Sequence, residues 1–452
     1  MPEWTTLPCG GAEPSDVRPP SLGSGRRDRI CCLDPDELAN RRAPIEASKG
    51  AAGSSPSHLS RNSSFLLLWT GQFVSQMGDR LAMVAFPWLV YRSTGSTLST
   101  GVVLALYTLP YIIFGALAGV LIDRLNKRTV MVAADLLRAA LVVLVPLAAA
   151  HSLPVVYVLS FVMATASVFF EPSKLAVLPD IVAPRSLMRA NSLMATGENL
   201  TEILGYALAG ITLTYVSTTT AFRIDCASFA VSALALLLMR YRAPAIEATA
   251  ELATSFWHEL REGLAFLRQH RGLMVNTFMI VAAMAGIGAS YPLTFFLAIK
   301  VLDGGTKAFG VFEAVIAVGY LIGSIALATA AARVRKGYAM TIGLGTMGIG
   351  LSLVSMAGGV WQACIPFAIV GIANSFALIA VDTYLQEVVP QELRGRVFGV
   401  RFTLAQGTYA LSVLIGGALA GVFDVRVLFI VAGVLIAVPA VAGLFVREIR
   451  EA

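Results

Sequence analysis

Several ionisable residues stand inside stretches that are otherwise apolar, and their spacing limits what they can do. Asp79 and Arg80 are adjacent, Glu198 and Glu202 are four apart, and Asp135 and Arg138 are three apart. An ionisable side chain at the centre of a bilayer costs roughly 2.5–3.5 kcal/mol on insertion scales, so each needs a reason to be there. Neighbours on a helix point about 100° apart, so Asp79 and Arg80 cannot neutralise each other on one face. At least one of them looks into a cavity or towards another helix. Burial and a neighbouring guanidinium act on a carboxyl in opposite senses, which suits the Asp79–Arg80 pair to proton exchange; a fixed structural ion pair, with a fifth-helix carboxylate as partner to the cation, is the alternative. Glu198 and Glu202 share one helix face, where two like charges in low dielectric do not both ionise cheaply. They are the second proton-coupling candidates and suit a lipophilic cation, unless Glu198 sits solvated at a membrane boundary. Asp135 and Arg138 are spaced to pair with each other. Asp225, Glu313 and Arg401 are weaker candidates, each expected within a turn or two of a membrane interface and structural. Phe73, Met77, Met83, Phe86, Tyr111, Phe295 and Phe296 suit either an apolar cavity or plain packing.

The elements that must carry these residues follow from composition. Of 452 residues, 56% are apolar and 14% charged, against about 45–50% and about 25% in a soluble domain. At about 20 residues per crossing, twelve crossings need about 240 residues, which leaves room for loops and a tail. From Gly337 to Val381 there is no Asp, Glu, Lys or Arg; a single helix of that length would be about twice the hydrocarbon thickness, so it is a hairpin turning at Ala357-Gly358-Gly359. The stretch Ala139–Phe170 breaks in the same way at His151-Ser152-Leu153-Pro154. Continuing along the chain gives twelve spans, near 65–91, 99–122, 129–150, 154–174, 187–214, 219–241, 272–299, 306–331, 338–357, 360–383, 395–422 and 425–446. The expected fold is therefore all-α and integral to the membrane, with twelve transmembrane helices in two pseudo-symmetric six-helix halves.

Residues 1–62 are rich in Pro, Gly, Ser and Arg and read as a disordered cytoplasmic tail, or equally as an over-extended gene start. The halves are expected over 63–241 and 272–446, joined by a cytoplasmic linker at 242–271 and followed by a short cytoplasmic end at 447–452. In the linker Phe256, Trp257, Leu260, Leu264, Phe266 and Leu267 alternate with charges, a pattern suited to lying on the membrane surface. With the tail inside, the cytoplasmic connections and flanking helix ends carry eighteen Lys and Arg and the outer ones five, namely Arg92, Arg223, Lys300, Lys307 and Arg426. The positive-inside rule thus places both termini in the cytoplasm of a cell (inner or plasma) membrane protein. The net charge of +6 reports topology and gives no sign of nucleic-acid binding. The halves also echo each other, Leu178-Pro179-Asp180-Ile181-Val182-Ala183-Pro184 against Leu385-Gln386-Glu387-Val388-Val389-Pro390, and each echo precedes a helix with a glycine-rich end, Gly205–Gly210 and Gly416–Gly421. Two such repeats around a midplane cavity make a transporter architecture.

Gly119-Val120-Leu121-Ile122-Asp123-Arg124-Leu125-Asn126-Lys127-Arg128, between the second and third helices, resembles the loop signature of the major facilitator superfamily. Gly71-Gln72, Gly78-Asp79, Pro87-Trp88-Leu89-Val90-Tyr91, Ala190-Asn191-Ser192-Leu193 and the run from Gln386 to Val397 resemble its drug:proton antiporter branch, in particular macrolide-efflux-like proteins. The resemblance implies a conformational gate at Gly119, Asp123, Arg124, Lys127 and Arg128, with Asp123 and Arg124 central. It also implies efflux of drug, macrolide or siderophore-like molecules by alternating access. Two departures stand out. The run Tyr157–Phe170 lacks the arginine many relatives carry in the fourth helix, and Tyr206 follows Gly205 where the antiporter motif usually has proline.

Other classes fit less well. Five cysteines form no C-x-x-C pair, and His58, His151, His258 and His270 fall in the tail or connections, so neither a metal site nor a cofactor is expected. No Walker-type phosphate loop is present, and no nucleophile–base–orienter set lies in one compartment, so an enzyme is not expected. The expected partners are a small-molecule substrate, protons and the lipid bilayer, with the chain acting as a monomer. Lipid or metabolite uniport or import by the same fold, and a non-transporting membrane sensor or scaffold, remain as alternatives.

Overall fold

The computed structural model describes residues 59–122, 125–183, 186–241, 253–330, 335–390 and 393–450. The expected tail falls almost entirely outside these residues. Thirteen long helices are described: α1 (Ser63–Thr94), α2 (Thr97–Ile122), α3 (Lys127–His151, broken at 143–144), α4 (Leu153–Ile181), α5 (Leu187–Tyr215), α6 (Thr218–Leu238), α7 (Ala253–Gln269), α8 (Arg271–Phe296, continued by a π turn Leu297–Val301), α9 (Gly305–Ala330), α10 (Lys336–Val354), α11 (Val360–Val388), α12 (Arg394–Leu419) and α13 (Val425–Gly443). No strand occurs among the described residues. The helix ends carry the side chains that capping chemistry favours: Asn62, Asn126, Ser217 and Asp424 accept from backbone N–H groups in the first turns of α1, α3, α6 and α13. Gly95, at φ 63°, closes α1 with its N–H on Tyr91 O, a left-handed stop that glycine makes without steric cost.

Among the described residues, ten helices are long and apolar enough to cross a membrane. The two others of comparable length in the bundle, α1 and α5, carry Asp79, Arg80, Glu198 and Glu202, and the expected count of twelve rests on including them. Outward faces are apolar, as at Leu147, Val158, Ile365 and Val438, which suits contact with lipid chains.

Helix pairing repeats. In the first six helices α1 packs on α5 and α6, α2 on α4, and α3 on α4 and α6; in the last six α8 packs on α12 and α13, α9 on α11, and α10 on α11 and α13. The two sets meet mainly through α2 with α12 and α5 with α9. Both meetings are glycine on glycine. A Cβ on Gly101 would stand 2.8 Å from the Gly417 Cα, and one on Gly310 would stand 2.7 Å from the Gly210 Cα, so backbone touches backbone. All four glycines lie near the connections α1–α2, α5–α6, α8–α9 and α12–α13, so the sets are closed together at that one end of the bundle.

The expected membrane-surface linker behaves differently. Residues 242–252 fall outside the described set, and α7 docks on α12: Gly263 lies against the Arg396 carbonyl, Glu262 pairs with Arg396, and Leu267 is buried in the protein core. The apolar stripe is thus spent on protein at Leu267.

Candidate functional site: a tyrosine-lined cavity beside a buried carboxyl group

A cavity of about 200 Å³ lies between the two sets of helices, lined by Arg80, Met83, Phe86, Leu104, Tyr107, Thr108, Tyr206, Tyr291 and Tyr409. Five helices supply these residues, α1, α2, α5, α8 and α12. Arg80 is the cation among them. Its guanidinium lies 5.2 Å from the Tyr206 ring centre and donates to the Tyr206 hydroxyl at 3.4 Å. The fit depends on Gly205, where a Cβ would stand 2.7 Å from Arg80 Cγ. Glu202 of α5 and Glu313 of α9 lie within electrostatic reach of Arg80. The Tyr206 and Tyr291 hydroxyls each point at Met83 Sδ, at 3.6 Å. Such a wall offers π faces, a soft sulfur and a few polar tips, which suits an amphipathic guest.

Asp79 turns the other way, towards α3 and α6. Arg138 there donates to Asp135, lies 3.8 Å from Asp79 and reaches Ser167 at 3.4 Å. Its guanidinium carbon sits 4.8 Å from the Phe170 ring centre and 4.4 Å from that of Phe229, so aromatic faces hold the cation as well. Asp135 is completely buried, with Arg138 on one carboxyl oxygen and no partner on the other, and the neighbouring Ser232 accepts from Gln72 at 3.2 Å. Asp225 is also completely buried, with Ser228 at 3.3 Å on one carboxyl oxygen and no partner on the other. Gly78 makes its approach possible, because a Cβ there would stand 2.6 Å from Asp225 Oδ1. Asp79 differs from both: 40% of its side chain is left uncovered by the protein although it lies in mid-helix. The adjacent pair is therefore split, as the 100° step requires, with Arg80 on the cavity and Asp79 on the carboxyl group.

The chain matches the transmembrane secretion effector family over residues 54–451. It belongs to that family, within the major facilitator superfamily. This transmembrane secretion effector is thus a membrane transporter and not an enzyme. Among similar curated proteins are macrolide efflux protein A of Streptococcus pyogenes, 25% identical over 86% of this chain and 96% of its own length, and the multidrug efflux pump Tap of Mycolicibacterium fortuitum, 26% identical over 85% and 96%. Among solved structures, nucleoside transporter NupG superposes with a TM-score of 0.70 at 13% identity, over 84% of this chain and 99% of its own. A bacterial homologue of the iron transporter ferroportin in an inward-facing state gives 0.66 at 15%, over 86% and 100%. These two show a shared fold.

The other site expectations for this transmembrane secretion effector are redistributed by the structure. Glu198 and Glu202 face different partners: Lys174 lies 2.9 Å from Glu198 and 2.7 Å from Glu171, while Glu202 belongs to the Arg80 and Glu313 group. A proton shared between the two is therefore not the arrangement found, because a buried cation takes one of them. Asp225 and Glu313 lie about two turns into their helices; the first lies in the buried carboxyl group and the second within electrostatic reach of Arg80 and the cavity tyrosines. Arg401 pairs with Asp382 of α11. Within the expected gate, Asp123 and Arg124 lie outside the described residues, and Gly119 lies within α2. Lys127 bonds Asp180 at 3.1 Å and the Ala176 carbonyl at 3.2 Å, and Arg128 caps α6 on the Leu236 carbonyl at 2.8 Å and that of Leu237, a favourable place for a cation. Tyr241 also donates to Asp180, at 3.1 Å; burial and that carboxylate push its hydroxyl up to about 12, so it remains a donor.

Sequence reasoning left Glu171, Lys174, Asp382 and the tyrosines Tyr107, Tyr206, Tyr291 and Tyr409 out of the site. The i, i+3 spacing of Glu171 and Lys174 was the available signal. Since both of its glutamates are about half exposed, Lys174→Met is expected to lower stability by only about 1 kcal/mol. A shift of the thermal midpoint of the purified protein by a few degrees checks this, and complete loss of folded protein would contradict it.

Proposed function

We propose that this transporter exports amphipathic small molecules from the cytoplasm across the cell membrane by alternating access, driven by proton entry. The observation that carries the reading is Tyr107: it lines the cavity and lies within electrostatic reach of both Asp79 and Asp225. Guest and proton would thus be felt by one side chain. The glycine crossings support alternating access, since two rigid sets touching at one end can rock about that contact. If both termini are cytoplasmic, as the Lys and Arg distribution implies, the crossings seal the outer end and this shape faces inward. The efflux pumps among the relatives favour export and a drug- or macrolide-like substrate.

The test is efflux of lipophilic dyes and macrolides from cells making the full chain, with and without a protonophore, beside Asp79→Asn and Arg80→Gln. The expected result is energy-dependent efflux that collapses with the protonophore and with Asp79→Asn, and an altered substrate profile for Arg80→Gln. Membrane-inserted protein that leaves accumulation of the whole panel unchanged would overturn the proposal.

A further inference from the structure

The group formed by α1, α3 and α6 contains three carboxyls, Asp79, Asp135 and Asp225, and one guanidinium, Arg138. Charges buried together in low dielectric must be compensated or neutralised, and the contacts show how each carboxyl is compensated. Asp135 has the Arg138 guanidinium on Oδ1, which compensates its charge although its Oδ2 is unpartnered. Asp79 has Arg138 at 3.8 Å and is left uncovered by the protein over 40% of its side chain. Asp225 has neither: it is 0% exposed, its Oδ2 is buried without a partner, and its Oδ1 receives only Ser228 at 3.3 Å. Arg80, the other nearby cation, is held by Tyr206 on the far face of α1.

We infer that Asp225 carries the coupling proton, that Asp79 is the carboxylate through which this proton exchanges with water, and that Arg138 is a fixed counter-charge. This rests on the proton-coupled export proposed above and names the carrier within it. In the shape described here Asp225 is the neutral acid. A proton taken from water by the Asp79 carboxylate passes to the Asp225 carboxylate and returns by the same route, so the group changes by one charge in each direction. The titratable or charged groups facing Asp225 are Asp79 from α1, Tyr107 from α2, Arg138 from α3 and Cys226 on its own helix, and those facing Asp79 also include Arg80, Asp135 of α3, and Glu171 and Lys174 of α4. Arg138 is held by Asp135, by Ser167 and by two phenylalanine rings, which keeps it in place through the cycle. Tyr107 is the side chain through which an occupied cavity presses on the group. From sequence Asp225 is expected to be a structural residue near an interface; complete burial without a cation in contact, where Asp135 has Arg138, makes it the carrier.

The test uses the full chain reconstituted in liposomes. Infrared spectra recorded across neutral pH are expected to show the carbonyl band of a protonated carboxylic acid in the unsubstituted protein. The band is lost in Asp225→Asn, moves in frequency in Asp225→Glu, and stays in Asp382→Asn. An unchanged band in Asp225→Asn overturns the assignment; should Asn fail to fold, an unmoved band in Asp225→Glu does so instead. In the same liposomes ethidium serves as the transport probe. Asp225→Asn is expected to bind ethidium like the unsubstituted protein but to lose uptake driven by a pH gradient, and retained pH-driven uptake also overturns the proposal. If the unsubstituted protein moves no ethidium, the export reading fails for this probe while the infrared band alone decides the place of the proton.

Discussion

Arg138→Met is expected to destabilise the protein by about 3–5 kcal/mol, the range for removing one partner of a buried ion pair and leaving the other uncompensated. Arg138 is the cation bonded to Asp135, which is completely buried, and the cation nearest Asp79. The lost contacts with Phe170 and Phe229 add about 1 kcal/mol or more. The decisive measurement is a double-mutant cycle with Asp135→Asn, followed by thermal unfolding of purified protein. Removing the carboxylate as well should return most of the loss, because a neutral asparagine beside methionine leaves only the partly exposed Asp79 without its cation. Equal losses in the single and double variants would show that Arg138 acts through packing and not through charge.

Gly101→Val and Gly210→Val are expected to loosen the closed end of the bundle. A side chain at either position meets the facing glycine's backbone within about 3 Å, and backbone cannot step aside as a flexible side chain would. Overpacking of this kind costs about 1–3 kcal/mol per site. In the alternating access proposed above this contact parts in the other state, so the cost would fall on one conformation and shift the population by about tenfold for each 1.4 kcal/mol. Spin labels at Ser96→Cys and Phe423→Cys, in a background without the native cysteines, report the separation of the α1–α2 and α12–α13 connections. A longer distance should grow in with either valine and dominate with both. An unchanged distribution would mean that the contact is not what holds this end shut.

Much of the scaffold was legible because its causes are local. A charge-free run longer than two bilayer thicknesses must fold back, and Ala357-Gly358-Gly359 and Ser152 are where the chain can do so. Each expected span starts or ends within a few residues of a described helix, with α4 running on through Pro179 to Ile181. The site was legible only in part, because its contacts join residues far apart in sequence. The 100° step predicted that Asp79 and Arg80 would part, but nothing local said that Tyr206 would take one and Arg138 the other. Both departures from the antiporter pattern prove informative. The missing proline is Tyr206, which holds Arg80, and the cation beside Asp79 comes from the third helix instead of the fourth. Glu198 and Glu202 misled because helical spacing reveals a shared face but not Lys174 opposite it. The burial of Asp225 was not legible because it depends on a distant residue, Gly78, which lets α6 press it against α1.

The repeated helix pairing has an electrical counterpart. In the first half the triad α1, α3 and α6 holds Asp79, Asp135, Arg138 and Asp225, whereas its partner triad α8, α10 and α13 has no Asp, Glu, Lys or Arg between 272 and 296, 337 and 354, or 427 and 443. Asn276, donating to Met340 Sδ at 3.1 Å, is the polar contact at its heart. One scaffold was thus built twice and loaded with charge once. A membrane voltage exerts about 2.3 kcal/mol on each elementary charge per 100 mV, so through these triads it acts on the first set of helices and leaves the second slack.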